Sequence, residues 1–214
     1  DEIRRLIKER RLFPCFFGSA LKLTGVEELL GGIRKWALAP EYPQEFEAKV
    51  YKISRDEQGN RLTHLKVTGG VLKVKDLLRT KSDGEDDVLE KVNQIRVYSG
   101  EKYEVRQRAE AGEICAVTGL AETYPGQGLG EEAETLPPLL ELVLTCQVCL
   151  PEGCDPALML PKLKLLEEEQ PELHIVWDEQ LQEIQAQIMG EIQTEILQSV
   201  IAERFGIDVT FGKS

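Results

Sequence analysis

The sequence predicts a mixed fold, in which a short α/β segment is followed by a β-barrel and then by an α+β domain. Apolar residues recur at helical spacing up to about residue 38, their period changes to two from Gln44, and helical spacing returns after Pro138. Glycine-containing turns interrupt the middle part at short intervals, which is typical of small closed barrels. The expected domains are therefore residues 1–40, 41–138 and 139–214.

Composition and charge limit the classes of function. The chain has 214 residues, of which 42% are hydrophobic and 30% are charged, and no run of about 18 apolar residues occurs. Because it starts on Asp1 with neither a signal peptide nor an initiator methionine, we expect a cytoplasmic chain cut from a longer protein. The net charge of −12 argues against a free-standing nucleic-acid binder. It is divided as +3, −5 and −10 over the three expected domains, which supports three units with different surroundings.

The first segment has the pattern of a small helix, a strand, a turn and a longer helix. The first helix is expected to end near Arg11, and the apolar run Phe13–Phe17 predicts a buried strand. Gly18, Ser19 and Ala20 form a turn of small residues at the end of that strand, which is where α/β proteins build ligand sites. The second helix is expected to begin at a Thr24 cap and to run to about Leu38.

The middle segment alternates apolar and polar residues, as half-buried strands do. A glycine-containing loop joins the first two expected strands, Phe46–Arg55 and Arg61–Thr68. We predict the acidic run Asp83–Asp87 to be a solvated loop. The glycine-rich stretch 124–134 is also predicted to be a loop, because no parallel strand precedes it to make a dinucleotide site. The remaining expected strands are Val71–Lys75, Lys91–Tyr98, Tyr103–Ala109 and Glu113–Gly119.

The last segment has the element order β-α-β-β-α-β, which is typical of ferredoxin-like domains. Its first helix is expected to begin after an Asp155 cap, with Pro156 at the first position, and to end near Glu169. The second helix is expected over Glu191–Phe205, with a stripe of apolar residues facing the core and Gly206 as the cap. That stripe consists of Ile192, Ile196, Leu197, Val200 and Ile201. The expected strands lie within Leu139–Leu150 and over Leu173–Trp177, Gln182–Ile188 and Ile207–Phe211.

No set of residues in the sequence predicts catalysis or metal binding. The five cysteines are an odd number in a chain without a secretory signal, so reduced thiols are expected. Cys146 and Cys149 are spaced as in metal sites, with Cys154 close behind. Zinc needs about four ligands, however, and strand positions three apart point to opposite faces. His64 and His174 stand beside no nucleophile or carboxylate in a catalytic pattern, and no phosphate loop is present.

The residues and the order of several segments resemble the central part of elongation factor G and its ribosomal-protection, tetracycline-resistance relatives. The stretch Phe16–Leu30 resembles the last guanine-recognition motif of their GTPase domain and the helix after it. Phe46–Leu78, with Val67-Thr-Gly-Gly-Val-Leu-Lys, resembles their second domain, a translation-factor barrel. Leu165–Gly212 resembles their ferredoxin-like third domain, and Met189-Gly-Glu-Ile-Gln-Thr-Glu-Ile matches a motif of that domain closely.

Two details favour the ribosomal-protection branch over the translocase. Elongation factor G usually has histidine where Gln193 stands in this chain, and Tyr98-Ser-Gly-Glu is also similar to the resistance proteins. The resemblance implies a parent that binds GTP and Mg²⁺ and hydrolyses GTP. In that parent Gly18, Ser19 and Ala20 would contact guanine. Since the chain lacks the phosphate loop, we expect it to be inactive alone and to carry no cofactor.

The resemblance also implies partners. We expect the ribosome, through small-subunit RNA and a basic small-subunit protein, together with the absent GTPase and C-terminal domains and no membrane. The acidic last domain suits the basic protein, and Glu167, Glu168, Glu169 and Glu203 are its expected contacts. An unrelated protein-interaction module, or an enzyme built on the cysteine cluster, is the alternative. The candidate RNA contacts are Lys52, Arg55, Arg61, Lys73 and Lys75.

Overall fold

The computed structural model describes residues 2–37, 40–81, 87–132 and 144–213. The chain divides into two compact units, Asp1–Glu41 and Tyr42–Ser214. The second unit contains two separate hydrophobic cores, one in residues 42–132 and one in residues 144–213, which we call the β region and the α+β region. The predicted boundary at residue 138 and the Pro137-Pro138 connector lie outside the described residues.

The first unit contains helices α1 (Glu2–Lys8) and α2 (Val26–Trp36), and it corrects two predictions. Phe13–Phe17 is not a strand, and Phe17 is 94% exposed. Among the described residues no neighbouring strand pairs with this segment, so its apolar run does not make it a strand. Thr24 is not the helix cap either. Gly25 takes that position with φ +78°, while the backbone of Thr24 exchanges two hydrogen bonds with Ser19.

The described residues of the β region form ten strands, and every strand pair among them is antiparallel. Six of them form one sheet in the order β10-β1-β2-β9-β6-β7, and two small sheets pair β3 with β8 and β4 with β5. Inward-facing side chains from these sheets share one core that includes Ile53, Leu65, Leu72, Ile95 and Leu129. The strands are β1 (Glu47–Arg55), β2 (Arg61–Gly69), β3 (Val71–Lys73), β4 (Leu77–Lys81), β5 (Asp87–Lys91), β6 (Gln94–Ser99), β7 (Lys102–Arg106), β8 (Arg108–Glu110), β9 (Ile114–Thr118) and β10 (Gly128–Gly130).

Several strands differ from those predicted by the alternation of apolar and polar residues, because pairing with distant strands determines where they form. β4 and β5 pair with each other on the two sides of the acidic run predicted as the loop Asp83–Asp87. Asp87 is the first residue of β5 and not part of a loop, and residues 83–86 lie outside the described ones. β10 occupies part of the stretch predicted as a flexible loop and pairs with the edge of β1. The expected strand Tyr103–Ala109 is two strands, since β7 pairs with β6 and β8 leaves to pair with β3.

The α+β region has the predicted order of four strands and two helices, with all neighbouring strands antiparallel in the order β12-β13-β11-β14. The Asp155 cap is confirmed, because its carboxylate accepts from the Ala157 amide. The bounds of the last helix and the Gly206 cap, at φ +67°, are confirmed as well. The elements are β11 (Leu144–Cys149), α3 (Pro156–Glu169), a 3₁₀ turn (Pro171–Leu173), β12 (Val176–Asp178), β13 (Glu183–Ile188), α4 (Glu191–Phe205) and β14 (Thr210–Lys213).

Three further expectations for this region are wrong in detail. The strand predicted over Leu173–Trp177 begins only at Val176, because the residues after Pro171 turn as a 3₁₀ helix. The last strand begins at Thr210 rather than at Ile207. Helix α4 buries Leu197 and Ile201, but Ile192 is 77% exposed and Ile196 is also exposed. The buried stripe is therefore narrower than its sequence predicts, because Ile192 and Ile196 lie outside the face that carries Leu197 and Ile201.

Helix length also bears on membrane association. The longest described helix, α4, has 15 residues, and no helix in the described parts of the chain is long and apolar enough to cross a bilayer.

Candidate functional site

The five cations predicted to contact RNA lie in three different places. Lys52 is exposed on β1, in the six-stranded sheet. Lys73 and Lys75 are exposed at the end of β3 and in the turn after it, beside the small β3-β8 sheet. Arg55 and Arg61 face the α+β region. The sequence could not show this separation, because Lys52 and Arg55 belong to one strand and yet only Arg55 meets Glu168 of α3. Lys73 and Lys75 lie beside a different sheet.

Arg61 is the centre of a hydrogen-bonded junction between the β region and the α+β region. Its side chain is 14% exposed and donates to the carbonyl oxygens of Leu120 and Thr123 and to the hydroxyls of Thr63 and Thr123. Its Nε lies 3.1 Å from Glu168 on α3. Arg55 donates to the same carboxylate oxygen at 2.9 Å. Two guanidinium groups from the β region are thus held by one carboxylate of the α+β region.

This junction changes the interpretation of the acidic residues on α3. Glu168 was expected to face a basic ribosomal protein, but it binds the two arginines within the chain. Glu167 pairs with Lys164, and Glu169 makes a two-point contact with Arg204 of α4. Reversing these charges would therefore disturb internal ion pairs, so loss of ribosome binding in such a variant would not by itself identify a contact surface.

The outward face of the six-stranded sheet, which we call the outer sheet face, brings together polar and aromatic residues from four strands. Pairing places Lys52 opposite His64, His64 opposite Ala116, and Ala116 opposite Arg96. Directly paired residues point to the same side of a sheet, and so do residues two apart on one strand. Lys66 and Tyr98 consequently share this face.

A row of rings crosses the outer sheet face. Ring centroids lie 6.0 Å apart for Tyr51 and His64, 6.1 Å for His64 and Tyr98, and 5.3 Å for Tyr98 and Tyr103. The Arg96 guanidinium lies 4.6 Å from the centroid of the Tyr103 ring. Sequence reasoning missed these tyrosines. The sequence did hold a signal for them. Arg96 and Tyr98 are two residues apart in the alternating stretch Gln94–Ser99, and a tight turn after Ser99 would bring Tyr103 back beside Tyr98.

These residues line a depression of about 500 Å³. Leu62 and His64 belong to its lining, together with Arg96, Tyr98 and Tyr103, and the β1-β2 loop contributes residues 55–58. Arg96 is fixed there by Asp56 at 3.0 Å and by Gln94 at 2.6 Å. Its guanidinium is therefore held in one position before any ligand binds, which reduces the entropy that binding would cost.

His64 is held neutral in this depression. Burial, and to a lesser degree the nearby charge of Lys52, lowers the pKa of His64 below its ordinary 6.5. Its Nε2 shares a hydrogen bond of 2.7 Å with the Ser54 hydroxyl. The imidazole thus behaves as an uncharged ring at neutral pH.

The lowered pKa of His64 predicts how stability changes with pH. Because the unfolded chain takes up the proton first, the contribution of His64 is complete above pH 6.5 and is lost as the pH falls from 6.5 through the folded-state pKa. NMR titration of the imidazole should give a pKa below 6.5, and Lys52→Gln should raise it. Urea unfolding at pH 7.5 and pH 5 should show a smaller acid loss for His64→Gln than for the unaltered chain. A folded-state pKa at or above 6.5 would contradict this.

The predicted guanine-contacting turn is present as a small closed loop. Ser19 and Thr24 bond through their backbones, and the Ser19 hydroxyl accepts from the Lys22 amide at 3.3 Å. Gly18 is sterically constrained, because an added Cβ would lie 2.7 Å from the Thr24 carbonyl oxygen. The residues Gly18, Ser19 and Ala20 are thus brought together as a turn, and their contact with guanine stays a prediction.

The cysteines and Gln193 have local structural roles. Cys146 packs against the core of the α+β region, and burial raises its pKa. Cys149 lies on the other face of β11, beside Gln147, and burial raises the pKa of Cys115 to about 12. The described residues contain no group of three or more candidate metal ligands. Gln193, on which the predicted branch partly rests, accepts from the Met189 amide at 2.7 Å and so caps α4.

Comparison with known proteins finds relatives along nearly the entire chain. No protein-family model matches it. The tetracycline resistance protein TetP of Clostridium perfringens is 29% identical over 217 residues, which cover 99% of this chain and 32% of that protein. The oxytetracycline resistance protein of Streptomyces rimosus is 30% identical over 92% of this chain and 31% of its own length. Elongation factor G 2 of Syntrophus aciditrophicus is 28% identical over 99% of this chain and 34% of that protein.

The chain is related to translational GTPases of the elongation factor G type. It spans about a third of the length of the curated relatives it matches. A crystal structure of a protein from Thermus thermophilus has the same fold, with a TM-score of 0.76 over 98% of this chain and 32% of that one, at 22% identity. The resemblance drawn from the sequence is confirmed, whereas near-equal identities leave the choice between resistance protein and translocase as a prediction.

Proposed function

We propose that this chain is the ribosome-contacting middle part of a translational GTPase of the tetracycline ribosomal-protection type. The observation that carries the proposal is the similarity to TetP, which runs through the first unit, the β region and the α+β region without leaving any of them out. An elongation factor G translocase is the second candidate, supported by the similar match to elongation factor G 2. Both candidates act on the cytoplasmic ribosome and differ in what the complete protein does there.

The parts of the chain take separate roles in this proposal. The β region corresponds to the translation-factor barrel, and the α+β region corresponds to the ferredoxin-like domain. The Gly18-Ser19-Ala20 turn contacts guanine in a complete protein that binds GTP and Mg²⁺, while this chain alone hydrolyses none. Small-subunit RNA is the proposed partner of the β region, and a basic small-subunit protein is the proposed partner of the acidic α+β region. Arg55 and Arg61 act by joining the two regions, because Glu168 already holds both guanidinium groups.

Ribosome co-sedimentation tests the proposal with the 214-residue chain. We expect the chain to pellet with small subunits at low salt and to be released as salt rises, since phosphate contacts release counterions. The double variant Lys52→Glu/Lys66→Glu changes the charge of the outer sheet face and should bind less. Lys8→Glu/Lys22→Glu applies the same change to exposed lysines of the first unit and serves as the control.

The two double variants distinguish a specific contact of the outer sheet face from a general effect of the chain's net charge. Equal weakening by both double variants, or no pelleting of the unaltered chain at low salt, would contradict the proposed surface. Expressing the complete protein in a tetracycline-sensitive host then distinguishes the two candidates. Growth on tetracycline supports ribosomal protection, whereas rescue of a strain depleted of its translocase supports the second candidate.

A further inference from the structure

We propose that the depression on the outer sheet face binds one unstacked base of a single-stranded RNA segment, stacked against the rings of His64, Tyr98 and Tyr103. The proposal rests on the proposed function in one respect, namely that the RNA would be ribosomal. It assigns a ligand class to residues outside the predicted lysine and arginine contacts. The supporting observations are ring geometry, a preformed cation and the distribution of charge around the depression.

The rings are arranged as a stacking surface rather than as a core. Tyr98 and Tyr103 are 37% and 47% exposed, although both belong to a continuous aromatic row. Exposed aromatic side chains on the open face of an antiparallel sheet are the means by which several folds stack RNA bases. The volume of about 500 Å³ lies in the range of small-ligand sites, so it accommodates a base with part of its ribose.

Arg96 supplies a fixed cation at the edge of this surface. It lies against Tyr103, and the carboxylate of Asp56 and the amide of Gln94 hold it in place. Arg96 is only 7% exposed, so its guanidinium stacks against the Tyr103 ring and holds that ring in place for a base. The same contacts neutralise most of its charge, so it contributes more to base stacking than to phosphate binding.

The remaining charges lie in different parts of the face. Lys52 and Lys66 are exposed on β1 and β2, outside the lining of the depression, whereas Glu57 of the β1-β2 loop and Glu101 of the β6-β7 turn are exposed and belong to that lining. Phosphates are therefore expected near the two lysines. The carboxylates of the lining repel phosphate and accept hydrogen bonds from amino groups of the bound base. A duplex cannot present a base in this way, so the site selects unpaired RNA.

Binding of fluorescein-labelled RNA by the 214-residue chain tests this inference. The probes are a ten-nucleotide purine-rich single strand and a hairpin that contains the same sequence as duplex, both measured by anisotropy at low salt. We expect the single strand to bind more tightly than the hairpin. Tyr98→Ala/Tyr103→Ala should weaken binding about tenfold or more, whereas Tyr98→Phe/Tyr103→Phe should retain it, because stacking needs the ring and not the hydroxyl.

Tyr124→Ala is the matched control, since Tyr124 has the same 37% exposure as Tyr98 but does not line the depression. Circular dichroism and urea unfolding establish that the variants are folded. Equal binding of hairpin and single strand, or equal binding by the double alanine variant and the unaltered chain, would overturn the inference. If ribosome co-sedimentation persists in that case, the proposed function stands without the base site. If the chain binds the single strand but does not co-sediment with ribosomes, the base site stands and the proposed function is contradicted.

Discussion

Replacing Arg61 with alanine is expected to lower the free energy of unfolding of the second unit by about 3 kcal/mol or more. The guanidinium satisfies the carbonyl oxygens of Leu120 and Thr123 and two buried hydroxyls, and it holds Glu168 of the α+β region. Removing it leaves acceptors in a mostly buried site without donors. Urea unfolding followed by circular dichroism measures the loss, and hydrogen exchange should show α3 losing protection together with the β region.

Arg108→Ala is the control for this prediction. Arg108 makes an ion pair with Glu110 on the surface of the same region, where such pairs contribute about 0–1 kcal/mol. A double-mutant cycle with Glu168→Gln isolates the part of the Arg61 effect that crosses between the two regions. If Arg61→Ala costs no more than Arg108→Ala and ribosome binding falls, Arg61 is an RNA contact, as the sequence alone suggested. A large loss of stability instead assigns it to the junction.

Replacing Gly119 with alanine should also cost about 3 kcal/mol or more. Gly119 follows β9 with φ +102°, a conformation that side-chain-bearing residues rarely adopt. An added Cβ would lie 2.2 Å from the Lys91 carbonyl oxygen and 2.8 Å from the Asn93 side chain, so the backbone between β5 and β6 would have to move. Urea unfolding measures the effect, and the next residue, Leu120, connects any such shift to the Arg61 junction.

Gly59→Ala is the control that separates the cost of a left-handed backbone from the cost of a steric clash at Gly119. Gly59 also has a positive φ, +81°, but a Cβ there would meet no atom within 4 Å. Its substitution should therefore cost only the left-handed backbone term, about 1 kcal/mol. Similar losses at the two glycines would show that the backbone near Lys91 yields easily and would contradict the predicted collision.

Elements whose stabilising contacts lie close in sequence were predicted well. The Asp155 carboxylate reaches the Ala157 amide two residues away, so the start of α3 is set locally. The end of α4 depends in the same way on Gly206, which adopts the left-handed conformation that the sequence suggested. β1 and β2 are joined by a short loop, and the two strands pair as their alternating patterns predicted, with a bulge at Tyr51 that the patterns did not show.

Two errors of the sequence analysis concern elements whose contacts are distant in sequence or missing. β10 has only three residues, two of them glycine, and it becomes a strand because β1, some 80 residues earlier, offers an unpaired edge. Phe13–Phe17 shows the reverse case, since its apolar run pairs with no strand in the described part of the chain. Ile192 of α4 is exposed although its spacing predicted burial, because tertiary packing decides which face of a helix is covered.

The sequence by itself determined the relationship to translational GTPases, the order of elements in the α+β region and the lack of a phosphate loop in the chain, because these are carried by residue identity and local spacing. Only the tertiary structure decided that Arg55 and Arg61 bind Glu168, and that Lys52, His64, Arg96 and Tyr98 share one sheet face. The physical reason is strand register. The sequence reads the same whether an arginine faces RNA or, like Arg61, a carboxylate 107 residues away. Only the pairing of strands across the sheet fixes which of the two the side chain meets.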